Sequence, residues 1–342
     1  MNSTLRQRIG FELELLAPRG SSRRALAERL AADCGGEVRA VWHHDSEPAP
    51  VAHLGGRFLH LTQGFEVRRP SGDVLCTLVD DVTIVAELDP KAPPPAGWLR
   101  LLTDDPRLAR LLEVTCDPAA PLDVVLDPVA ALWGEAVETI GEVRRLDARR
   151  ATVALAAPSG GERERPCEIV TPPISSDHGT ALEELLAPAR ELGFTVPREA
   201  AVHLHLDGPP YREPAALANL VRLFGWWREP LRDLLGTNPE CRRLKPLPDQ
   251  LVALVDAAPS YAELCQAATD GGLSKFFDVN LTQLLRAEPV RDTVEIRILP
   301  GAIDAADVLE RAAMVESLVE RCLDPEPIRR TDDLKGWLRG PD

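Results

Sequence analysis

Glu12 and Glu14 share one face of a segment whose other face is Phe11, Leu13 and Leu15. A period of two is that of a half-buried strand, so the two carboxylates point the same way. The arrangement recurs three times further along the chain. Glu168 points away from Cys167 and Ile169. His203, His205 and Asp207 point away from Val202, Leu204 and Leu206, and Glu295 and Arg297 away from Val294, Ile296 and Ile298. Taken singly, each is an ordinary solvated strand face. Together they are less ordinary, because solvated faces mix Lys, Thr, Ser and Arg, whereas these positions are acids and imidazoles with one Arg. If the four strands share a sheet, neighbours lie roughly 4.8 Å apart. Carboxylates that close repel one another unless cations intervene. Several Glu and few His suit Mg²⁺ or Mn²⁺ better than structural zinc. The commonest catalytic use of such ions is to bridge phosphate oxygens during phosphoryl transfer. Arg297 fits a phosphate contact. Asp207 precedes Gly208-Pro209-Pro210, where capping a turn is its alternative role.

The elements that must carry these residues are read from periodicity and punctuation. A strand is expected over Gln7 to Leu16, then a helix from a Ser22 cap to Cys34, stopped by Gly35-Gly36, and a strand over Val38 to Trp42. Val74 to Val79 and Thr83 to Leu88 read as strands. Asp89 to Gly97 is a proline-rich connection. Helical patterns cover Trp98 to Glu113 and Val129 to Leu146, and residues 149–166 are mixed. Strands at Cys167 to Val170, Ala200 to Leu206 and Val294 to Leu299 alternate with helices over Thr180 to Leu192, Glu213 to Leu235, Ser260 to Ala268 and Asp304 to Leu323. Thr180 with Glu183 and Ser260 with Glu263 have capping-box spacing. The order is not that of regular βαβ units. It predicts an α+β fold, a largely antiparallel sheet with helices packed on one face.

Composition excludes several partners. A net charge of −15 repels phosphate backbones, so nucleic acid is not an expected partner. No apolar stretch reaches the roughly eighteen residues of a membrane span, and the N-terminus lacks a signal peptide's apolar run. The seven cysteines are odd in number and scattered, which predicts reduced thiols used as small apolar fillers in a cytoplasmic protein. No P-loop occurs.

Four motifs occur in order: Gly10-Phe11-Glu12-Leu13-Glu14, Glu168-Ile169-Val170-Thr171-Pro172-Pro173, His203-Leu204-His205-Leu206 and Val294-Glu295-Ile296-Arg297. Together they resemble the amidoligases, carboxylate–amine ligases with a glutamine synthetase-like catalytic fold. Lys275 to Leu281 is similar to the element that precedes the last motif in that family. The resemblance spans residues 10–301 and implies one catalytic domain over 1–342. Its core would be residues 6–42 and 165–325, with a variable region at 43–164. The metal and nucleotide site would lie on the sheet face opposite the helices. The resemblance also implies an ATP-dependent ligase: ATP phosphorylates a carboxylate and an amine of an amino acid, peptide or related substrate displaces the phosphate.

Carried over residue by residue, Glu12, His203 and Glu295 would hold one Mg²⁺ or Mn²⁺, and Glu14 and Glu168 would help hold another. His205 would contact ATP phosphates, and Arg297 would stabilise the transferring phosphoryl group. Lys275 and Asn280 are candidates for nucleotide or substrate contacts. Asp81-Val82-Thr83 stands where the family has D-x-S, with Thr for Ser. Two other readings remain open: an inactive relative that binds a peptide or nucleotide, and a phosphotransferase resembling guanidino kinases. Arg242-Arg243 with Lys245 is either a solvated turn or the binding place of an anion. Ser175 to His178 contains triad residue types but reads as a helix cap, and Trp226-Trp227 as packing.

Overall fold

The computed structural model describes residues 5–44, 48, 56–148, 152–286 and 288–337. In it β1 (Ile9–Leu16) forms where alternation predicts it, and Ile9, Phe11, Leu13 and Leu15 are wholly buried. α1 (Arg23–Cys34) starts at Ser22, whose side chain accepts from Ala25 N, and stops at Gly35 with a φ of 68°. A Cβ on Gly36 would lie 1.9 Å from Arg68 O, so only glycine fits there. β2 (Glu37–His44) pairs along its length with β3 (Leu59–Arg68). β3 escapes the sequence reading because His60, Thr62 and Gln63 are buried along with Leu61 and Phe65, which erases any alternation of polarity. β4 (Val74–Val79) has the expected bounds.

The region after β4 corrects several expectations. Thr83 to Leu88 is not a strand. Thr83 N and Oγ1 both donate to the Asp81 carboxylate, at 2.8 and 2.6 Å, which folds the chain into a turn. The helix expected over Trp98 to Glu113 divides into β5 (Leu99–Thr103) and α2 (Pro106–Thr115), because Asp105 caps a helix that Pro106 opens. The helix expected over Val129 to Leu146 shrinks to α3 (Asp127–Trp133), ended by Gly134 at φ 66°. A hairpin of β6 (Glu138–Ile140) and β7 (Val143–Ala148) takes its place. β8 (Thr152–Pro158) and β9 (Pro166–Val170) follow. Residues 149–151 of the mixed stretch lie outside the described residues.

α4 (His178–Glu191) and β10 (Ala201–Asp207) come next. The long helix expected over Glu213 to Leu235 breaks at Trp227 into α5 (Pro214–Trp226) and α6 (Arg228–Leu235). After α7 (Asp249–Leu254), α8 (Tyr261–Asp270) opens on the full capping box of Ser260 and Glu263. The two-residue β11 (Val279–Asn280) and β12 (Thr293–Pro300) precede α9 (Ala305–Cys322), capped by Asp304 as expected, and α10 (Leu334–Trp337).

The chain divides into two compact units, one of residues 1–14, 171–187 and 198–342, the other of residues 15–170 and 188–197. In the first, antiparallel strands run in the order β11-β12-β10-β1. The apolar sides of β1, β10 and β12 are buried, with His178 of α4 edge-on to Phe11. α5 is buried from Ala216 to Phe224 and packs on α9. The second unit carries the antiparallel order β9-β4-β3-β5-β8-β7-β6, and β2 also pairs with β3. Trp42, Leu61, Leu101, Leu108, Leu112, Val129 and Ala154 join its sheet to α2 and α3 in one core. Buried Arg23 is satisfied there by carbonyl oxygens of Gln63, Arg163 and Pro166, with its guanidinium over Trp98. The fold is therefore mixed α+β with antiparallel sheets. No helix among the described residues is long and apolar enough to cross a membrane. All seven cysteines are free.

Asn219 on α5 secures the chain after α9. It is fully buried; its amide donates to the carbonyls of Cys322, Asp324 and Glu326, and its Oδ1 accepts from Ile328 N and Arg222. Asn219→Ala leaves those backbone groups unpaired. It is expected to lower stability by about 2–4 kcal/mol, as for a broken buried network. Urea unfolding measures this, and a loss below about 1 kcal/mol would show that solvent replaces Asn219 without penalty.

Candidate metal centre

Strand register brings the acids and imidazoles of the first unit together. Glu12 on β1 is paired with His203 on β10, and His205 is paired with Glu295 on β12, which in turn faces Asn280 on β11. All of these side chains lie on the face opposite the apolar one, as alternation requires. Glu12 is the meeting point. Its Oε2 lies 3.0 Å from His203 Nδ1 and its Oε1 3.0 Å from His205 Nε2. His203 also approaches Glu14, Nε2 to Oε1 at 3.5 Å, and Glu295, Nδ1 to Oε1 at 3.7 Å. The second oxygen of Glu14 accepts from Ala201 N at 2.7 Å, which fixes that carboxylate against β10.

β12 departs from regular pairing where Arg297 stands. Between the pairs Val202–Leu299 and Leu204–Ile296 the register shifts, so Arg297 and Ile298 together stand opposite His203. A bulge of this kind re-aims a side chain. Arg297 N donates instead to Asp278 O, 3.1 Å away, and its guanidinium pairs with Glu295. Its Nε is buried without a hydrogen-bond partner among the described residues. Asn280 Nδ2 donates to the other Glu295 oxygen at 2.6 Å, and Asn280 Oδ1 accepts from Thr282. Asn280 thus orients a carboxylate. Lys275 is half-buried near Glu295, Glu12 and Arg297.

The charges are strongly interdependent. Burial by itself raises the Glu12 carboxyl, but His205 and His203 reverse this and hold it well below the usual carboxylate range. Burial likewise disfavours the charge on His205, yet Glu12 raises it above an ordinary imidazole. Burial raises Glu295, but Arg297, His205 and His203 together bring it below the usual carboxylate range. Arg297 is raised for the reciprocal reason, Glu295 and Glu12 overcoming burial.

These residues fit a divalent cation. Glu12, His205 and Glu295 each offer one ligand atom, all within 4.8 Å of one another. His205 Nε2 and Glu12 Oε1 lie 3.0 Å apart, yet Nε2 has no aligned hydrogen bond among the described residues. Adjacent ligands of an octahedral ion with bonds of about 2.1 Å are separated by roughly 3 Å, so the two atoms are placed as neighbours on one ion are. Mn²⁺ or Mg²⁺ is accordingly expected to raise the thermal unfolding midpoint by mass action. Identical transitions in saturating metal and in excess chelator would sink the assignment.

Glu168 stands on β9 in the second unit, opposite Val79 of β4 and half-buried. The Asp81–Thr83 turn is also in that unit, braced by Arg163, which reaches the Asp81 and Ile84 carbonyls and pairs with Asp80. Asp207 pairs with Arg8 at 2.8 Å. His178 turns back to Ile174 O at 2.9 Å, so the Ser175 to His178 segment holds no triad. Three further contributors lie outside the four motifs. Thr293 meets His205 Nδ1 at 3.3 Å and Arg291 lies 3.8 Å from Glu12. Thr293 and Arg291 are two and four residues before Glu295, so period-two spacing contains the signal. Asp278 is the third. Its buried carboxylate is gripped by Arg228 and Arg232 of α6, at 2.7 and 3.1 Å.

A family model described as "putative amidoligase enzyme" matches residues 5–319, nearly the whole chain. No curated protein and no solved structure matches it.

Proposed function

The chain belongs to the amidoligase family, and on that premise we propose that it joins a carboxylate to an amine at the expense of ATP, on a glutamine synthetase-like catalytic fold. The observation that carries this reading is the convergence of Glu12, His203, His205 and Glu295 from three antiparallel strands, with Arg297 beside them on a bulge. In the reaction, a carboxylate oxygen attacks the γ-phosphorus and the bond to the bridging oxygen breaks, releasing ADP. The amine nitrogen then attacks the acyl carbon, the phosphate leaves with the electron pair of the C–O bond, and the amine loses a proton.

Glu12, His203 and Glu295 are the proposed ligands of a Mg²⁺ or Mn²⁺ ion, whose chemistry when bound is to neutralise phosphate oxygens. Glu14 is a proposed ligand of another. His205, which the resemblance sets against the nucleotide phosphates, is by its geometry a further proposed ligand of the Glu12 ion, one side of its ring steadied by Thr293. Arg297 holds the transferred phosphoryl group through a planar fork of donors. Asn280 keeps the Glu295 carboxylate in one orientation.

The test is condensation itself. A library of amino acids and short peptides with ATP and Mg²⁺ is expected to yield products whose mass is the sum of two substrates less one water, together with ADP and phosphate. Phosphorylated amine alone would move the protein to the guanidino-kinase-like reading. Nucleotide binding without ATP consumption by any pair would leave a binding module.

A further inference from the structure

We infer that Arg243 and Lys275, seated on the ring of Phe276, form an oxyanion-binding position beside Arg297 that takes a phosphate or carboxylate group. As an anion site it stands on these residues alone; as a substrate subsite it rests on the ligase reading.

Two cations share one aromatic ring. The Arg243 guanidinium lies 4.9 Å from the Phe276 centroid and the Lys275 ammonium 5.5 Å from it. A ring attracts each of them, but the two repel one another. The arrangement is nevertheless built in. Lys245 N donates to Phe276 O, and Asp278 N donates to Lys245 O, both at 3.0 Å, so the loop bearing Arg243 is laced to the segment bearing Lys275. Asp278, one end of that lacing, is locked by Arg228 and Arg232, and its carbonyl holds Arg297 N. Arg243 itself adopts a left-handed backbone with a φ of 64°, uncommon for a residue with a side chain. Such a conformation persists where the surroundings enforce it.

The cations around Lys275 have carboxylate partners: Arg297 has Glu295, while Arg228 and Arg232 have Asp278. The Lys275 ammonium has neither hydrogen bond nor ion pair among the described residues, and it rests on the Phe276 ring. Burial, then Arg297 and Arg243, work against its charge and outweigh the support of Glu295 and Glu12. An ammonium has three donors and no acceptor. A half-buried one crowded by two guanidiniums is a place where an oxyanion relieves repulsion and supplies acceptors together. In a chain of net charge −15, general attraction does not bring anions to this point, so recognition there must be local. A solvated basic turn, the other reading of Arg242-Arg243 with Lys245, would leave Arg243 extended in water rather than half-buried on a ring.

Inorganic pyrophosphate and glutarate are suitable probes, titrated calorimetrically into the full-length protein without divalent ions. Lys275→Gln and Arg243→Gln are each expected to weaken the bound probe at least tenfold. Unfolding of the ligand-free variants should shift by little, or upward for Lys275→Gln, because a repelling charge is gone. A merely structural lysine would instead lower the transition. Pyrophosphate alone binding assigns the position to a phosphate chain, and glutarate alone to a substrate carboxylate. Failure of both probes to bind the wild type at millimolar concentration, or equal binding by the variants, overturns the proposal. Since no metal or turnover enters the measurement, condensation activity with no anion binding would reject this site and leave the ligase reading intact.

Discussion

Arg297→Lys is expected to lower turnover on an identified substrate pair by roughly a hundredfold or more, the usual effect of losing one preorganised donor to a transition state. Lys keeps the charge but not the planar fork. The structure gives this substitution particular force. One arm of the guanidinium is committed to Glu295, while Nε is buried without a partner among the described residues. An ammonium retaining the Glu295 contact has no second rigid donor to direct elsewhere. Nucleotide affinity should change much less, because the interaction is made mainly in the transition state. The rival role for Arg297 is to balance the charge of Glu295 and Glu12, which raise its pKa. Lys performs that role nearly as well. A folded Arg297→Lys enzyme with near-normal kcat would refute the contact with the phosphoryl group and leave the metal centre standing.

Glu12→Gln is expected to weaken Mn²⁺ binding on the order of a hundredfold or more, beyond the 10–100-fold that loss of a ligand's supporting partner costs. Glu12 is the residue both imidazoles approach, and its carboxyl stays ionised because they do. Gln matches its shape and removes the charge an ion needs. The apoprotein should fold, since His203 remains close to Glu14 and Glu295. Calorimetry or the paramagnetic signal of Mn²⁺ reads the affinity directly. An unchanged dissociation constant would remove Glu12 from the ligand set. A variant that keeps its ion but loses turnover would give Glu12 a different part in the chemistry.

The sidedness of the site is legible in the sequence because it depends on nothing beyond one strand. Once Phe11, Leu13 and Leu15 are buried, Glu12 and Glu14 must face the other way. The same holds for His203 and His205, and for Glu295 and Arg297. Helix caps at Ser22, Ser260 and Asp304 are equally local and form as read. Where polarity and burial part company, the reading fails, as in β3, which buries His60, Thr62 and Gln63. Trp98 to Glu113 instead holds a strand and a helix divided at Asp105-Pro106.

What no local pattern contains is strand order. Residues 12, 203 and 295 are brought side by side by the sequence β12-β10-β1. That order is decided by which apolar faces can be buried together, a property of the whole chain. The register shift opposite His203 belongs to the tertiary structure as well. So do the capture of Arg297 N by Asp278 and the seating of Arg243 and Lys275 on one ring. Sequence by itself determines which residue types face away from the core. Tertiary structure alone decides which of them meet, because pairing energy comes from partners far apart along the chain, as Glu12 is from His203 and His205 from Glu295.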